Sequence, residues 1–345
     1  MVGAHERTAF GCWLWFPPMT ALKRRAVTIP AVVVAAALLL TLLPVWLPIA
    51  AIGDLVRGRV RLPTVRLLAF GVCWTLLEIS GVLIALTLWL AGQRRNHRAH
   101  YALQRWWAAR LMGALRITTG IRIEATEAAC LSPGPVIMLC RHASLADSLL
   151  SAWIITSGAR MNTRYVLKRE LLFDPCLDIV GNRLPNHFLD RGATDTTAEL
   201  DALERLSSGL LDDQVAVIFP EGTRSSPKKR ARALEKIGER DPERADRLAT
   251  LQHLLPPRPA GAQAMLRGCP TADVVLAWHV GFDGLDTFGG ILRHLGRRPQ
   301  PVQFHAHRVA RSDVPDGDRF TRWLDDAWLQ ADRAVHTLLQ PEGST

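Results

Sequence analysis

Val136-Ile137-Met138-Leu139-Cys140 runs directly into Arg141-His142-Ala143-Ser144-Leu145-Ala146-Asp147, and the reading of this stretch decides the fold. Five consecutive apolar residues between Gly134-Pro135 and Arg141 describe a strand buried on both faces, the kind found in a largely parallel sheet covered by helices. The polar step that follows lies at the strand's C-terminal end, where open α/β sheets hold their ligands. On a continuous α-helix, five positions separate two side chains by about 140°, so His142 and Asp147 are not a same-face pair. A geometry that works puts His142 in the turn after the strand, with Ser144 opening a helix and Asp147 in its first turn, curled back to the imidazole. One ring nitrogen then donates to the carboxylate and the other is free to take a proton. A purely structural reading competes: Ser144-Leu145-Ala146-Asp147 fits the S-x-x-D/E capping pattern, which makes His142 a bystander.

Outward from this stretch, a second apolar run, Val215-Ala216-Val217-Ile218-Phe219, is followed at once by Pro220-Glu221-Gly222-Thr223-Arg224-Ser225. Alone, that is a strand ending in a Pro/Gly turn. Between the two runs, Gly181 to Arg191 ends in Phe188-Leu189-Asp190-Arg191, which alone is an ordinary surface ion pair. Taken together, three polar clusters at strand ends argue for one site. Other patterns belong to packing: Leu200, Leu203, Leu206 and Leu210 form one helical stripe, and Phe320, Trp323, Leu324, Ala327, Trp328 and Ala331 another. The segment Pro227 to Arg258 is rich in both signs of charge and reads as a solvated helical excursion, or alternatively as a lid leaning on a membrane or lipid headgroup. His305 and His307 alternate in a strand with no third partner in view, so no metal site is expected. No G-x-S-x-G occurs, and Ser144 and Cys140 are expected to serve as helix cap and core filler.

The chain has 345 residues and a formal net charge of +10, which calls for an anionic partner. Two long apolar segments with basic residues clustered beside them, and no nucleic-acid module, direct that charge to lipid headgroups rather than nucleic acid. From Ala26 to Gly53 no residue is charged, and from Leu67 to Gln93 only Glu78 is. Each segment exceeds the roughly 20 residues that cross a bilayer core. Lys23, Arg24 and Arg25, then Arg57, Arg59, Arg61 and Arg66, then Arg94, Arg95 and Arg98 flank every junction, so charge asymmetry sets no orientation. A membrane-embedded helical hairpin over 26–93 is expected, with Pro44 and Pro48 able to kink its first helix towards a single leaflet. A cleaved signal peptide is disfavoured by the length of the first segment and the lack of a small-residue cleavage site. Residues 1–25 form an N-terminal tail. Tyr101 to Arg110, with paired indoles and arginines, fits an interfacial helix or a core-packing one. Six cysteines without metal-like spacing fit a reduced, cytoplasm-facing domain without structural zinc.

At these residues the chain resembles the glycerophospholipid acyltransferase family, which includes the lysophosphatidic acid acyltransferases. The H-x4-D block is matched by His142 and Asp147, the F-x-D-R-like step by Phe188 to Arg191, and F-P-E-G-T-R-S without a gap by Phe219 to Ser225. The fourth block departs: Leu254-Leu255-Pro256-Pro257-Arg258-Pro259-Ala260-Gly261, after a charged insert at 227–258, is closer to the lysocardiolipin acyltransferase-like branch. The resemblance implies an acyltransferase domain over 94–345, with an α/β fold of mixed, largely parallel sheet flanked by helices. It implies His142 and Asp147 as the catalytic pair. Lys168, Arg191 and Arg224 would hold phosphate, and Glu221, Gly222 and Thr223 would shape the acceptor site.

The chemistry follows from residue types. Acyl transfer from a thioester to an alcohol needs the hydroxyl proton removed as the oxygen attacks, which a positioned histidine does. The leaving thiolate, with a thiol pKa near 8.5, departs without strong acid assistance. The expected activity is acylation of a lysophospholipid, foremost the sn-2 hydroxyl of lysophosphatidic acid, with acyl-CoA or acyl-acyl-carrier protein as donor substrate and no cofactor. Alternatives are another acceptor (a lysocardiolipin or an aminolipid), transacylation between phospholipids, or non-catalytic lipid binding. The expected location is the inner (plasma) membrane, among membrane phospholipids, with the catalytic domain in the cytoplasm.

Overall fold

The computed structural model of the chain describes residues 19–189, 196–283, 285, 288–297 and 300–340. Its helices are α1 Ala21–Thr41, α2 Leu43–Val56, α3 Pro63–Leu90, α4 His97–Thr119, α5 Asp147–Trp153, α6 Pro175–Gly181, α7 Thr196–Ser207, α8 Pro227–Gly238, α9 Pro242–Leu248, α10 Pro259–Gly268, α11 Phe288–Gly296 and α12 Asp318–Leu339. Its strands are β1 Ile123–Glu124, β2 Val136–Cys140, β3 Asn162–Lys168, β4 His187–Leu189, β5 Gln214–Ile218, β6 Asp273–Val280 and β7 Val302–Val309.

The strands form one seven-stranded sheet in the order β1-β7-β6-β2-β5-β3-β4. Only the β6–β7 pair is antiparallel. The mixed, largely parallel sheet expected from the two apolar runs is therefore present, with β2 and β5 side by side at its centre, Val136 opposite Val215. Every residue of β2 and β5 is buried because both faces of the sheet are covered. Ile137, Leu139, Ala216 and Ile218 pack with Leu203, Leu206, Met265, Leu324 and Trp328 of α7, α10 and α12. Val136, Met138, Val215 and Val217 face the other way, onto Met112, Leu150 and Ile154. The period-2 alternation of a strand thus feeds two cores at once.

Two long apolar helices, α1 and α3, stand where the two-helix hairpin was expected, with the shorter α2 between them. The first apolar segment breaks at Leu42, and Pro44 sits in the first turn of a separate α2, where a missing N–H costs nothing. Pro48 remains inside α2, and α1 begins at Ala21, so Arg24 and Arg25 lie within a helix and not in a tail. α1 and α3 are each long and apolar enough to cross a membrane. α2 joins α3 through Asp54, which accepts hydrogen bonds from Thr64 N (2.8 Å) and Thr64 Oγ1 (2.8 Å). α3 lies along the α/β domain, packed on α4, α6 and α11. Near its start, Arg66 Nη1 donates to Thr119 O (3.2 Å), and near its end Arg183 Nη1 donates to Ala85 O (2.9 Å). Between them Glu78, fully buried, accepts from Trp107 Nε1 (3.1 Å) and Cys176 N (3.0 Å). The Tyr101–Arg110 segment is accordingly a core-packing part of α4: Tyr101, Leu103 and Ala108 are buried.

The charged insert is helical, as expected, but not detached. Arg244 and Arg247 of α9 converge on Asp325 of α12, and Asp332 of α12 accepts from the backbone N–H groups of Gln252, His253 and Leu254. These contacts strap the return of the insert to the domain, while α8 buries no residue.

Candidate functional site

The C-terminal ends of β2, β5, β3 and β6 bring the site together. His142 lies in the turn after β2, and its Nδ1 is 2.9 Å from Asp147 Oδ2. Asp147 also accepts from Ala143 N (2.6 Å), Ser144 N (2.8 Å) and Ser144 Oγ. The expected curl of Asp147 back to the imidazole is present, with one correction: α5 opens at Asp147 after Ala146, so Ser144 does not cap it. Ser144 donates to Asp147 and accepts from Ala146 N (3.1 Å) within the turn itself. Because the carboxylate can only accept, Nδ1 carries the proton and Nε2 holds the lone pair.

A residue the sequence reading missed completes the pair. His279, near the end of β6 and 1% exposed, places Nε2 3.1 Å from Asp147 Oδ1, at ion-pair distance though off hydrogen-bond alignment. Its carbonyl accepts from Arg141 Nη1, and Arg141 Nη2 donates to Asp283 Oδ1 (2.6 Å). The buried guanidinium beside His142 therefore ties the turn after β2 to the end of β6. A polar residue inside the apolar run Val274–Val280 was the available signal.

Burial raises the cost of ionising Asp147, but the neighbouring His279 and the bonds from His142 outweigh it and hold the carboxyl well below its usual range. The pKa of His142 is lowered in net as well, here by burial first; Asp147 opposes this, and the like charges of Lys168 and Arg224 lower it further. The imidazole is thus neutral, with an available lone pair, at neutral pH. Phe219 packs on it with ring centroids 4.8 Å apart.

The Phe219–Ser225 segment wraps this turn. Glu221, buried, accepts from His142 N (2.8 Å) with one oxygen and from Leu255 N (2.9 Å) with the other. It bridges the β2 turn to the Leu254–Gly261 segment, and burial pushes it up to about 8 despite those two amides. Ser225 N donates to His142 O (2.8 Å), and Arg258 N to Pro220 O (2.9 Å). Gly222 has φ +70°, and a Cβ there would lie 3.2 Å from Arg258 Cζ; the bare backbone lets the guanidinium close over the turn. Thr223 accepts from Lys229 Nζ (3.3 Å), which also donates to Arg224 O (2.9 Å), so α8 reaches back to the site. Lys168 ends β3 and, with Arg224, is close enough to bias the imidazole. Arg191 and Asp190 lie outside the described residues. Among the described residues no group of three or more metal-ligating side chains is found.

The arrangement can remove a proton from a group presented to His142 Nε2 and can hold an anion against Lys168, Arg224 and Arg258. Comparisons with known proteins find the following similarities. Residues 122–266 match the family model described as Acyltransferase. A 1-acyl-sn-glycerol-3-phosphate acyltransferase of Cocos nucifera is 29% identical over 106 residues, which are 30% of this chain and 32% of that protein. The matched stretch thus spans about a third of that relative's length. Among solved structures, the 1-acyl-sn-glycerophosphate (LPA) acyltransferase PlsC from Thermotoga maritima is similar with a TM-score of 0.48 and 16% identity, over 78% of this chain and 97% of that one.

Proposed function

We propose that this chain, whose residues 122–266 match the Acyltransferase family model, moves a fatty acyl group from a thioester to the free hydroxyl of a lysophospholipid. The observation that carries the reading is the His142–Asp147 contact of 2.9 Å, in a turn held by Glu221 and flanked by Lys168 and Arg224. As the lipid oxygen attacks the thioester carbonyl, His142 Nε2 takes the hydroxyl proton. Asp147 keeps the ring in the required tautomer and stabilises the imidazolium. The C–S bond then breaks, and the thiolate leaves with the proton returned from the imidazolium. No enzyme-bound acyl intermediate is required. Lys168, Arg224, Arg258 and Arg191 are the cations for a phosphate headgroup; a bidentate arginine fixes it in register and so aims the hydroxyl. Lysophosphatidic acid, acylated at sn-2, is the foremost acceptor, and acyl-CoA or acyl-acyl-carrier protein the donor.

The acceptor arrives from a membrane. α1, α2 and the outer side of α3 present exposed apolar residues such as Val34, Leu38, Ile49, Ile52, Leu83 and Leu86, and Leu145, 62% exposed, stands three residues from His142. On this reading α3, fastened to the domain near both ends, lies along the membrane surface, and the assembly enters one leaflet of the inner membrane on its cytoplasmic side; the exposed apolar faces support membrane contact.

Purified full-length protein, given labelled acyl groups on each carrier and a panel of lysophosphatidic acid, lysocardiolipin and aminolipid acceptors, should label lysophosphatidic acid most. His142→Ala should lower turnover by about 10² to 10⁴ with vesicle binding intact. Lysolipid binding without transfer by the wild-type protein, or near-normal turnover by the variant, would refute the mechanism.

A further inference from the structure

The cations at the far end of α3 take no part in the chemistry above. Arg25, Trp89, Arg94, Ile179, Asn182 and Arg183 line a cavity of about 300 Å³ between the ends of α1, α3 and α6. Arg24 and Arg25 share one carboxylate, Asp178, whose side chain is fully buried and receives Arg24 Nη2 at 2.7 Å and Arg25 Nε at 2.9 Å. Among the described residues Arg183 makes no ion pair: its Nη1 donates to the carbonyl of Ala85, and burial followed by Arg25 and Arg94 lowers its pKa. Among the described residues, Arg25, Arg94 and Arg183 line the cavity, and the carboxylate beside them, Asp178, is already shared by Arg24 and Arg25, which leaves the cavity with an excess of positive charge. The cluster is fixed in place. His100, fully buried, donates from Nε2 to Arg94 O (3.1 Å) and so pins the loop that carries Arg94, and Asn182 Nδ2 donates to Asp178 Oδ1 (2.9 Å).

Its position states what kind of anion it meets. Leu86, Trp89 and Leu90 are exposed at the last turns of α3, where the apolar stretch ends and the basic loop begins. An exposed indole beside arginines at the end of an apolar helix marks headgroup depth, with the apolar ring towards the acyl boundary and the cations among phosphates. We infer that this cavity binds the phosphate of an anionic phospholipid, gripped by Arg94 and Arg183 with Trp89 beside the glycerol, as a lipid site separate from the one at His142. Guanidiniums suit this ligand because their planar donors match two phosphate oxygens at once. Occupation by one phosphodiester would offset one of these positive charges and fasten α1, α3 and α6 to the leaflet.

Native mass spectrometry of the detergent-solubilised full chain tests the inference, with phosphatidylglycerol, phosphatidylcholine or inorganic phosphate added. One phosphatidylglycerol should be retained in preference to phosphatidylcholine. Arg94→Gln/Arg183→Gln should weaken that retention about tenfold or more, and Arg183→Lys should restore part of it. Arg95→Gln/Arg98→Gln, removing exposed arginines outside the cavity, should leave it unchanged. Arg94→Gln alone, at an exposed position, gives a reading if the double variant melts early. Phosphate-dependent loss of the bound lipid supports a site for the phosphate group, and lipid retention undisturbed by phosphate supports recognition of the whole headgroup. Equal retention by wild type and Arg94→Gln/Arg183→Gln, equal weakening by the outer pair, or no preference over phosphatidylcholine would overturn it.

Discussion

Asp147 and Glu221 are carboxylates with equal burial at the C-terminal ends of adjacent strands, yet one is held well below its ordinary pKa and the other is pushed up to about 8. Removal from water penalises both charges alike; the partners decide the outcome. Asp147 faces two imidazoles as well as two amides and a hydroxyl, and remains an anion that orients His142. Glu221 faces two backbone amides, with Arg141 as the cation that lowers its pKa, and works as a strap between loops. Of the two acids only Asp147 touches the imidazole, whereas Glu221 reaches the His142 backbone N–H.

Exchange of each acid for its amide should separate these roles. Asp147→Asn leaves the shape but presents an N–H₂ where donors already point, so turnover should fall by about 10³ or more, as in other oriented histidines. A variant within tenfold of wild type would remove Asp147 from the mechanism. Glu221→Gln keeps one acceptor and misplaces the other, at a cost of about 1 to 3 kcal/mol in stability, measurable by thermal melting, with a smaller fall in turnover through His142. The pH dependence sharpens the contrast. A group whose folded pKa is raised from 4.5 to about 8 gives its full stability below 4.5 and loses it as pH rises through about 8. The melting-temperature advantage of wild type over Glu221→Gln should therefore shrink between pH 5 and 9, and a constant or growing gap would contradict the assignment.

Gly222→Ala comes next in size. A side chain at φ +70° costs about 1 to 2 kcal/mol, and its Cβ would displace the Arg258 guanidinium. A higher KM for the phosphorylated acceptor at little-changed kcat is expected, and an unchanged KM would leave Arg258 without a role in binding. The smallest effect concerns the acid limb of the pH–rate profile. Because the pKa of His142 is lowered, activity should persist below pH 6.5 and fall only as the imidazole protonates. Lys168→Gln should move that limb upward by a few tenths of a pH unit, since it removes a like charge from beside the ring. A downward movement would mean that Lys168 does not act on His142 through its charge.

The parts of this site that were legible in the sequence are those written in adjacent residues. β2 and β5 announce themselves as apolar runs, and each chemical motif follows its strand directly. His279 was not legible because it is brought to Asp147 only by the pairing of β6 with β2, Cys140 opposite Ala277, which no local pattern specifies. The helix start at Asp147 rather than Ser144 was hidden for a related reason. Ser144 is a good cap by type, but its hydroxyl is drawn to the carboxylate it would otherwise have resembled. In the membrane region, hydropathy alone could not fix the break at Leu42, which depends on Pro44 starting a new helix rather than bending an old one. Nor could it tell that Glu78, an isolated acid in an apolar segment, serves as an acceptor for Trp107 and Cys176.

That last contact makes α3 a structural wall of the domain and not an anchor attached to it. Ala85 lies in the same cluster as Tyr101, Leu103, Cys176 and Ile179, so cutting the chain before α4 would strip an apolar cover from the folded body. The distance of His142 from the exposed apolar faces of α1 and α3 is consequently set by folding, and no tether length has to be tuned.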